Sequence, residues 1–354
     1  MTTRPRAPPP FLALADEIII SLFARVPFFL HGTVRIVSRR LNELISSSAF
    51  YLERVESGYA ETGIVKAGGR EDGRCWILSD NGRWRPIAAM SFPRQQSSSL
   101  VHEGAMWVIG GCAFVDASTA VERFDVRTNT WESLPPIPAD RGRFEAAVGS
   151  VGGFVVVAGG APDSQRQSVI AYSPATGWID LPEMPYSAFA PGACVLDGCL
   201  FVAGDHYHGK LQMWDGCEWT LKANLPCHRD NAASVACQGK LWVIGGRVLP
   251  RSPRERHRIL DEVVVYEPRT DTWTAGEPLP EPRCCCRAFE KDGGILVLGG
   301  SASLDPSVPD ADRQELPPLF YRHGAWTTMP GYEEEGLRSR DHAGRANYRS
   351  VQLG

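Results

Sequence analysis

Leu241-Trp242-Val243-Ile244-Gly245-Gly246 is a short apolar run stopped by a glycine pair. Nearly the same phrase stands at Met106-Trp107-Val108-Ile109-Gly110-Gly111, again at Val155-Val156-Val157-Ala158-Gly159-Gly160, and again at Ile295-Leu296-Val297-Leu298-Gly299-Gly300. A weaker copy is Leu200-Phe201-Val202-Ala203-Gly204. Each run is too short for a helix and rich in β-branched residues, so each reads as a strand. A strand phrase that returns at a near-constant interval marks a repeat architecture.

The register is tight before the glycines. Arg94, Gly104 and Gly110 are spaced ten and then six apart, and the same spacing holds for Arg143, Gly153, Gly159, for Arg229, Gly239, Gly245 and for Arg283, Gly293, Gly299. The weak copy keeps Gly198 and Gly204 but has Ala188 in place of Arg. The small and apolar residues between Arg and the first Gly predict a first strand, and the Gly a tight turn with positive φ. After the glycine pair the spacing loosens until a Trp: Trp84, Trp131, Trp178, Trp219, Trp273 and Trp326. Phe124, Tyr172, Tyr266 and Tyr321 precede four of them by five to seven residues, across turn-forming segments such as Pro268-Arg269-Thr270-Asp271. Each unit therefore reads as four strands, the fourth opened by Trp, and prolines such as Pro135 and Pro182 carry the chain out of the sheet.

Four strands, a glycine pair and a distal Trp at a period near fifty resemble the kelch repeat, whose units form the blades of a β-propeller. The resemblance covers residues 60–354 and implies a mainly β chain with a six-bladed kelch propeller. The first blade is incomplete in chain order: Thr62–Gly69, Arg74–Ser79 and Trp84 supply its second, third and fourth strands. The tail Arg345–Leu353 is left over, so it is expected to supply the missing strand and close the ring.

Composition agrees with a folded domain: 43% of the 354 residues are hydrophobic, and the net charge is −4. The first residues are polar and Pro-rich, so no secretory signal is read there. Leu14–Leu30 is apolar but holds Asp16, Glu17, Arg25 and Pro27, which excludes a membrane span. Ten cysteines without a secretion signal read as reduced thiols, giving a cytoplasmic and/or nuclear expectation. Cys284-Cys285-Cys286 lacks Cys-x-x-Cys spacing and reads as small residues buried on the first strand of the last blade. No metal, cofactor, membrane or nucleic-acid partner is expected.

Residues 11–55 change to a helical period. One helix is predicted from about Glu17 to Arg25, a second from about Thr33 to Ser46, and a third from near Ala49, together too small for a secure core of their own. Leu14-Ala15-Asp16-Glu17-Ile18, then Leu22-Phe23-Ala24-Arg25-Val26-Pro27, then Val34 through Ile45 resemble the opening, middle and closing stretches of an F-box, although Ala15 replaces the usual Pro and Leu41 the common Trp. An F-box before a kelch propeller looks like the plant-type F-box/kelch-repeat proteins. That resemblance implies the substrate-recognition subunit of an SCF-type E3 ubiquitin ligase, not itself an enzyme. Its F-box would dock a Skp-type adaptor, and through it a cullin–RING ligase, with contacts falling on Leu14, Asp16, Glu17, Ile18, Leu22, Val26, Pro27, Val37 and Leu41.

In a sheet of alternating strands, the lead-in to the first strand and the loop between the second and third lie on one face of the disc. Arg94, Arg143, Arg229 and Arg283 stand at those lead-ins. The loop 247–261 adds Arg247, Arg251, Arg254, Arg256, His257 and Arg258, and the loop 301–318 adds Asp305, Asp310 and Asp312. The arginines, with Arg247, Arg251, Arg254 and Arg256, are read as a binding set for a target protein with acidic or phosphorylated groups. The competing reading is that the lead-in arginines tie the ring together, and that the basic loop is solvated or a nuclear-import signal. Two other classes stand beside the ligase reading. One is a kelch scaffold without ligase function. The other is a propeller enzyme, for which His206 and His208 are the only close His pair.

Overall fold

The computed structural model describes residues 84–112, 118–205, 208–250, 257–303 and 316–329. It also describes 14–26, 34, 37–45, 47, 49–50, 53–54, 61–67, 73–78 and 347–353. Pro27, Arg251, Arg254, Arg256, His206, Asp305, Asp310 and Asp312, and the glycine pair Gly68-Gly69, lie outside these residues.

Six four-stranded antiparallel sheets follow one another around a ring. Blade 2 shows the pattern: Ser98–His102, Ala105–Ile109, Val121–Asp125 and Thr130–Ser133, counted outward from the axis. The first two strands join through Glu103-Gly104, both at positive φ (50° and 72°), which is a two-residue turn matched to strand twist. Asp197-Gly198, Gln238-Gly239 and Asp292-Gly293 repeat this. The Gly-at-ten spacing is thus a hairpin-turn requirement.

The glycine-ended runs are the second strands of their blades, and they are apolar at every position because both faces are buried. Met106 and Val108 pack toward Val65, Ala67 and Ile77 of blade 1, while Trp107 and Ile109 pack toward Val148, Val155 and Val157 of blade 3. Each side chain removed from water contributes about 2 kcal/mol. The stability of the molecule therefore resides between blades, since no blade has a core of its own.

Two further links set the blades in register. In blades 2 to 6 the indole N–H of the Trp on the fourth strand donates to a main-chain carbonyl of the preceding blade: Trp131 to Ala88 at 2.7 Å, Trp178 to Pro135 at 2.9 Å, Trp219 to Pro182 at 3.0 Å, Trp273 to Ala223 at 2.8 Å and Trp326 to Glu277 at 2.9 Å. The second glycine of a pair donates its N–H to the next blade, Gly111 to the Arg143 carbonyl at 3.0 Å and Gly246 to that of Arg283 at 2.9 Å. A Cβ on Gly245 would lie 2.2 Å from the Arg283 oxygen, at a φ of +60°. The pair is glycine because two blades touch there through backbone.

Blade 1 closes as the sequence suggests. Asn347–Leu353 pairs antiparallel with Glu61–Ala67, from Glu61 opposite Leu353 to Ala67 opposite Asn347, and so becomes the innermost strand. Its outer strands are Cys75–Leu78 and Trp84–Ile87. Ile64 and Leu78 pack with Phe289, Leu296 and Leu298 of blade 6.

Among the described residues, the N-terminal segment has two helices, α1 (Asp16–Ala24) and α2 (Arg39–Ile45). The second helix is shorter than the sequence-based 33–46. The third is described only at Ala49, Phe50, Glu53 and Arg54, all helical. Ala24, Ile45 and Phe50 form a small core with Ile20, Phe23 and Val34 against it. Buried Arg54 donates to the Ala24 and Val26 carbonyls, both at 2.6 Å, satisfying the C-terminal end of α1. No helix among the described residues is long and apolar enough to cross a membrane.

Candidate functional site

The four lead-in arginines do not face a target. Arg94, Arg143, Arg229 and Arg283 are at most 1% exposed. Arg94 pairs with Glu122 (Nη1–Oε2 2.5 Å) and donates to the Val108 carbonyl at 3.1 Å. Arg143 donates to the Ser168 carbonyl at 3.0 Å and to Gln165 Oε1 at 3.2 Å. Arg229 donates to the Gly245 carbonyl at 3.1 Å and to Glu262 Oε2 at 3.0 Å, and Arg283 to the Gly299 and Pro317 carbonyls at 3.2 and 3.1 Å. In three blades the acceptor set thus includes the first glycine of that blade's own pair, at 3.4 Å for Arg143. Burial pushes all four guanidinium pKa values down, that of Arg143 to about 10. Their burial leaves no guanidinium surface for the expected target contact, and each instead bonds carbonyl, amide or carboxylate groups of its own blade. Spacing fixes where the guanidinium starts, but the carbonyls freed where the second strand ends decide where it goes.

Arg247 is half-buried and bound to buried Asp230 at 2.6 Å. It opens the extra hairpin Arg247–Val248 and Arg258–Ile259 above blade 5. His257 and Arg258 are exposed.

Two residues after each lead-in position comes a residue that sequence reasoning missed. Gln96, Glu145, Ala190, Asn231 and Cys285 all have positive φ, between 46° and 60°. The last four each donate a backbone N–H to the equivalent residue of the preceding blade: Glu145 to Gln96 O at 2.9 Å, Ala190 to Glu145 O at 3.2 Å, Asn231 to Ala190 O at 2.9 Å, and Cys285 to Asn231 O at 2.9 Å. These residues line a cavity of about 70 Å³ beside the innermost strands of blades 2 to 6. Non-glycine residues rarely hold this conformation, so sequence type gives no cue. Only the fixed two-residue offset from the Arg could have marked them. Cys284 and Cys286 are buried as read, though the triplet precedes the strand Arg287–Lys291 instead of lying on it.

Blade 4 departs from the others, and its departures are coupled. With Ala188 in place of Arg, buried Gln212 takes over the lead-in, its amide accepting from Tyr186 N–H at 2.9 Å and donating to Tyr186 O at 3.0 Å. Asp205 stands where other blades have the second glycine, and its carboxylate accepts from His208 N–H at 2.5 Å and from Ser187 at 3.2 Å. That turn keeps the loop to the third strand (Leu211–Trp214) short. Beside the long loop of blade 5 it leaves a cleft of about 510 Å³, bordered by His208, Lys210, Leu225, His228, Val248 and Leu249 among others.

At the N-terminal helices, the expected adaptor residues divide by environment. Ile18 (49% exposed), Leu22 (54%) and Val37 (60%) stand open, and Glu17 is exposed. Asp16 is ion-paired with Arg40, which also donates to the Leu14 carbonyl at 2.8 Å. Leu14 and Val26 are half-buried. Leu41 is 1% exposed, buried in the helical segment, so it presents no contact surface.

A family model for the kelch motif matches residues 93–138 and 228–280, which are blade 2 and blade 5 with their lead-ins. An F-box/kelch-repeat protein of Arabidopsis thaliana is 25% identical over 74% of this chain and 70% of its own length, and another is 28% identical over 84% and 81%. Kelch-like protein 35 of Mus musculus is 24% identical over 82% of the chain, which spans 44% of that longer protein. A solved structure of YjhT superposes with a TM-score of 0.62 at 14% identity, covering 75% of this chain and 94% of its own, a likeness of fold alone. Two matched kelch motifs, relatives named for kelch repeats and the closed ring of six blades together support the kelch-repeat family for this chain.

Proposed function

We propose that the chain is the target-recognition subunit of an SCF-type ubiquitin ligase, acting in the cytoplasm and/or nucleus and not itself catalytic. Its N-terminal helices dock a Skp-type adaptor, and its propeller holds a target protein for ubiquitin transfer by the cullin–RING assembly. The observation that carries the reading is that Ile18, Leu22 and Val37, three large apolar side chains, stand open on a helical unit too small to stand as a domain of its own. Ile18 and Leu22 are one helical turn apart on α1, the spacing of anchors laid into a partner's groove. Relatives named F-box/kelch-repeat proteins support the same order of parts.

The test is binding of the purified chain to a Skp-type adaptor, beside the double variant Ile18→Asp, Leu22→Asp. Both side chains are half exposed, so the variant should melt like the parent. Two buried apolar contacts are worth about 3–6 kcal/mol, so binding should weaken at least a hundredfold. An intact, folded chain that fails to bind would remove the ligase reading and leave a kelch interaction protein.

A further inference from the structure

With the lead-in arginines buried, a target must be recognised by something else on that face. We infer that the cleft between blades 4 and 5 is where the target docks, and that it takes an acidic segment of the target's chain. This deepens the proposed function and rests on the propeller being a target receptor.

Three observations carry it. First, the cleft exists because blade 4 breaks the repeat: the Asp205 turn shortens one wall while the blade 5 hairpin raises the other. Second, its charge has one sign. Lys210 lies in the wall, with His208 and His228 beside it, and no carboxylate is among the described lining residues. The Lys210 ammonium sits over the Tyr186 ring at 4.8 Å and has no ion-pair partner among the described residues. Arg258 reaches the wall at Cys227 (Nη2–Sγ 3.9 Å). Two acids that bond to residues at the cleft are already engaged, Asp205 by His208 N–H and Ser187, and Glu262 by Arg229 and Arg258. Third, Leu225, Pro226, Val248 and Leu249 give the cleft an apolar floor and side. A lysine held on an aromatic face and a second cation at the rim, above an apolar surface, suit a peptide carrying carboxylates beside a hydrophobic anchor.

The experiment selects a random peptide library displayed on phage against the full chain. Selected peptides are then titrated against the parent, Lys210→Glu, Arg258→Glu, and a control, Lys222→Glu, on the outer strand of blade 4. The expected result is enrichment of peptides rich in Asp and Glu that bind at least about tenfold more weakly to each cleft variant, unchanged to the control, with affinity falling as salt rises. Adaptor binding is measured on the same proteins and should not change in any of them. No acidic enrichment, or acidic peptides that bind the cleft variants as well as the parent, would overturn the cleft assignment. Either result leaves adaptor binding intact if the ligase reading holds, so the two ideas fail separately.

Discussion

At the scale of single residues, the arginines show how a repeat position acquires a structural task. Arg94 and Glu122 are both fully buried, and Glu122 also accepts the Ser91 N–H at 2.8 Å. Arg94→Met would strand a carboxylate in the core, so chemical denaturation should show a loss of about 3–5 kcal/mol. Adding Glu122→Gln should recover part of it, because a neutral amide keeps an acceptor for Ser91 without the uncompensated charge. If Arg94→Met left stability intact, the guanidinium would not be tying the blade. His102 makes a second prediction. It is buried, hydrogen-bonded to Ser150 Oγ at 2.9 Å and set edge-on to Trp107, and burial pushes its pKa below the ordinary 6.5. The folded state therefore binds this proton less readily than the unfolded chain. The contribution is fully present above about pH 6.5 and is lost as pH falls from there through the lowered folded value. His102→Gln should flatten the acid side of the melting profile in that window; an unchanged slope would mean the imidazole titrates normally. A structural task for the arginines was legible from sequence as the competing reading, but the partners were not: a lone His and a spaced Arg carry no mark of the group they will find.

At the scale of the element, the blade was legible, because its punctuation is stereochemical. Glycines at positive φ and a Trp at the outer strand can be counted along the chain, and the count alone assigns four strands per unit. The role of the Trp was less legible, since its indole N–H leaves its own blade. Trp273 opens an outer strand of blade 5 and donates to Ala223 O of blade 4. Its ring packs on Tyr266, with centroids 5.1 Å apart. Trp273→Phe keeps most of the ring contact and deletes the donor, so the loss should be modest, about 1 kcal/mol. Trp273→Ala removes both and should cost about 3–5 kcal/mol. Equal losses for the two would mean that the hydrogen bond, and not the packing, holds the blades in register. Blade 4 shows the limit of reading by repeat. Ala188 and the single Gly204 are visible as a weak copy, yet the compensation by Gln212 and the Asp205 turn depends on backbone groups that only the folded sheet brings near.

At the scale of the whole molecule, the ring is held by contacts between neighbours, so its closure should control its cooperativity. Blade 1 takes its innermost strand, Asn347–Leu353, from the other end of the chain, and this strand lies against the first strands of blades 2 and 6. The six units are thereby linked into a circle in which each interface buries the faces of two sheets. Removing residues 347–353 would strip the ladder partner from Glu61–Ala67 and expose a sheet edge facing the channel. It would also withdraw the inner strand from the junctions of blade 1 with blades 2 and 6. Because no blade has a private core, the damage should not stay local. The truncated chain is expected to melt well below the parent, over a broader transition, with amide exchange rising first in blades 1 and 6. A synthetic peptide of the deleted sequence should restore part of the melting temperature in proportion to its concentration, as a ligand of the open ring would. A truncated chain that melted like the parent would show that five complete blades and an incomplete sixth hold their arrangement without closure. The stability of the propeller would then lie in its sequential interfaces alone.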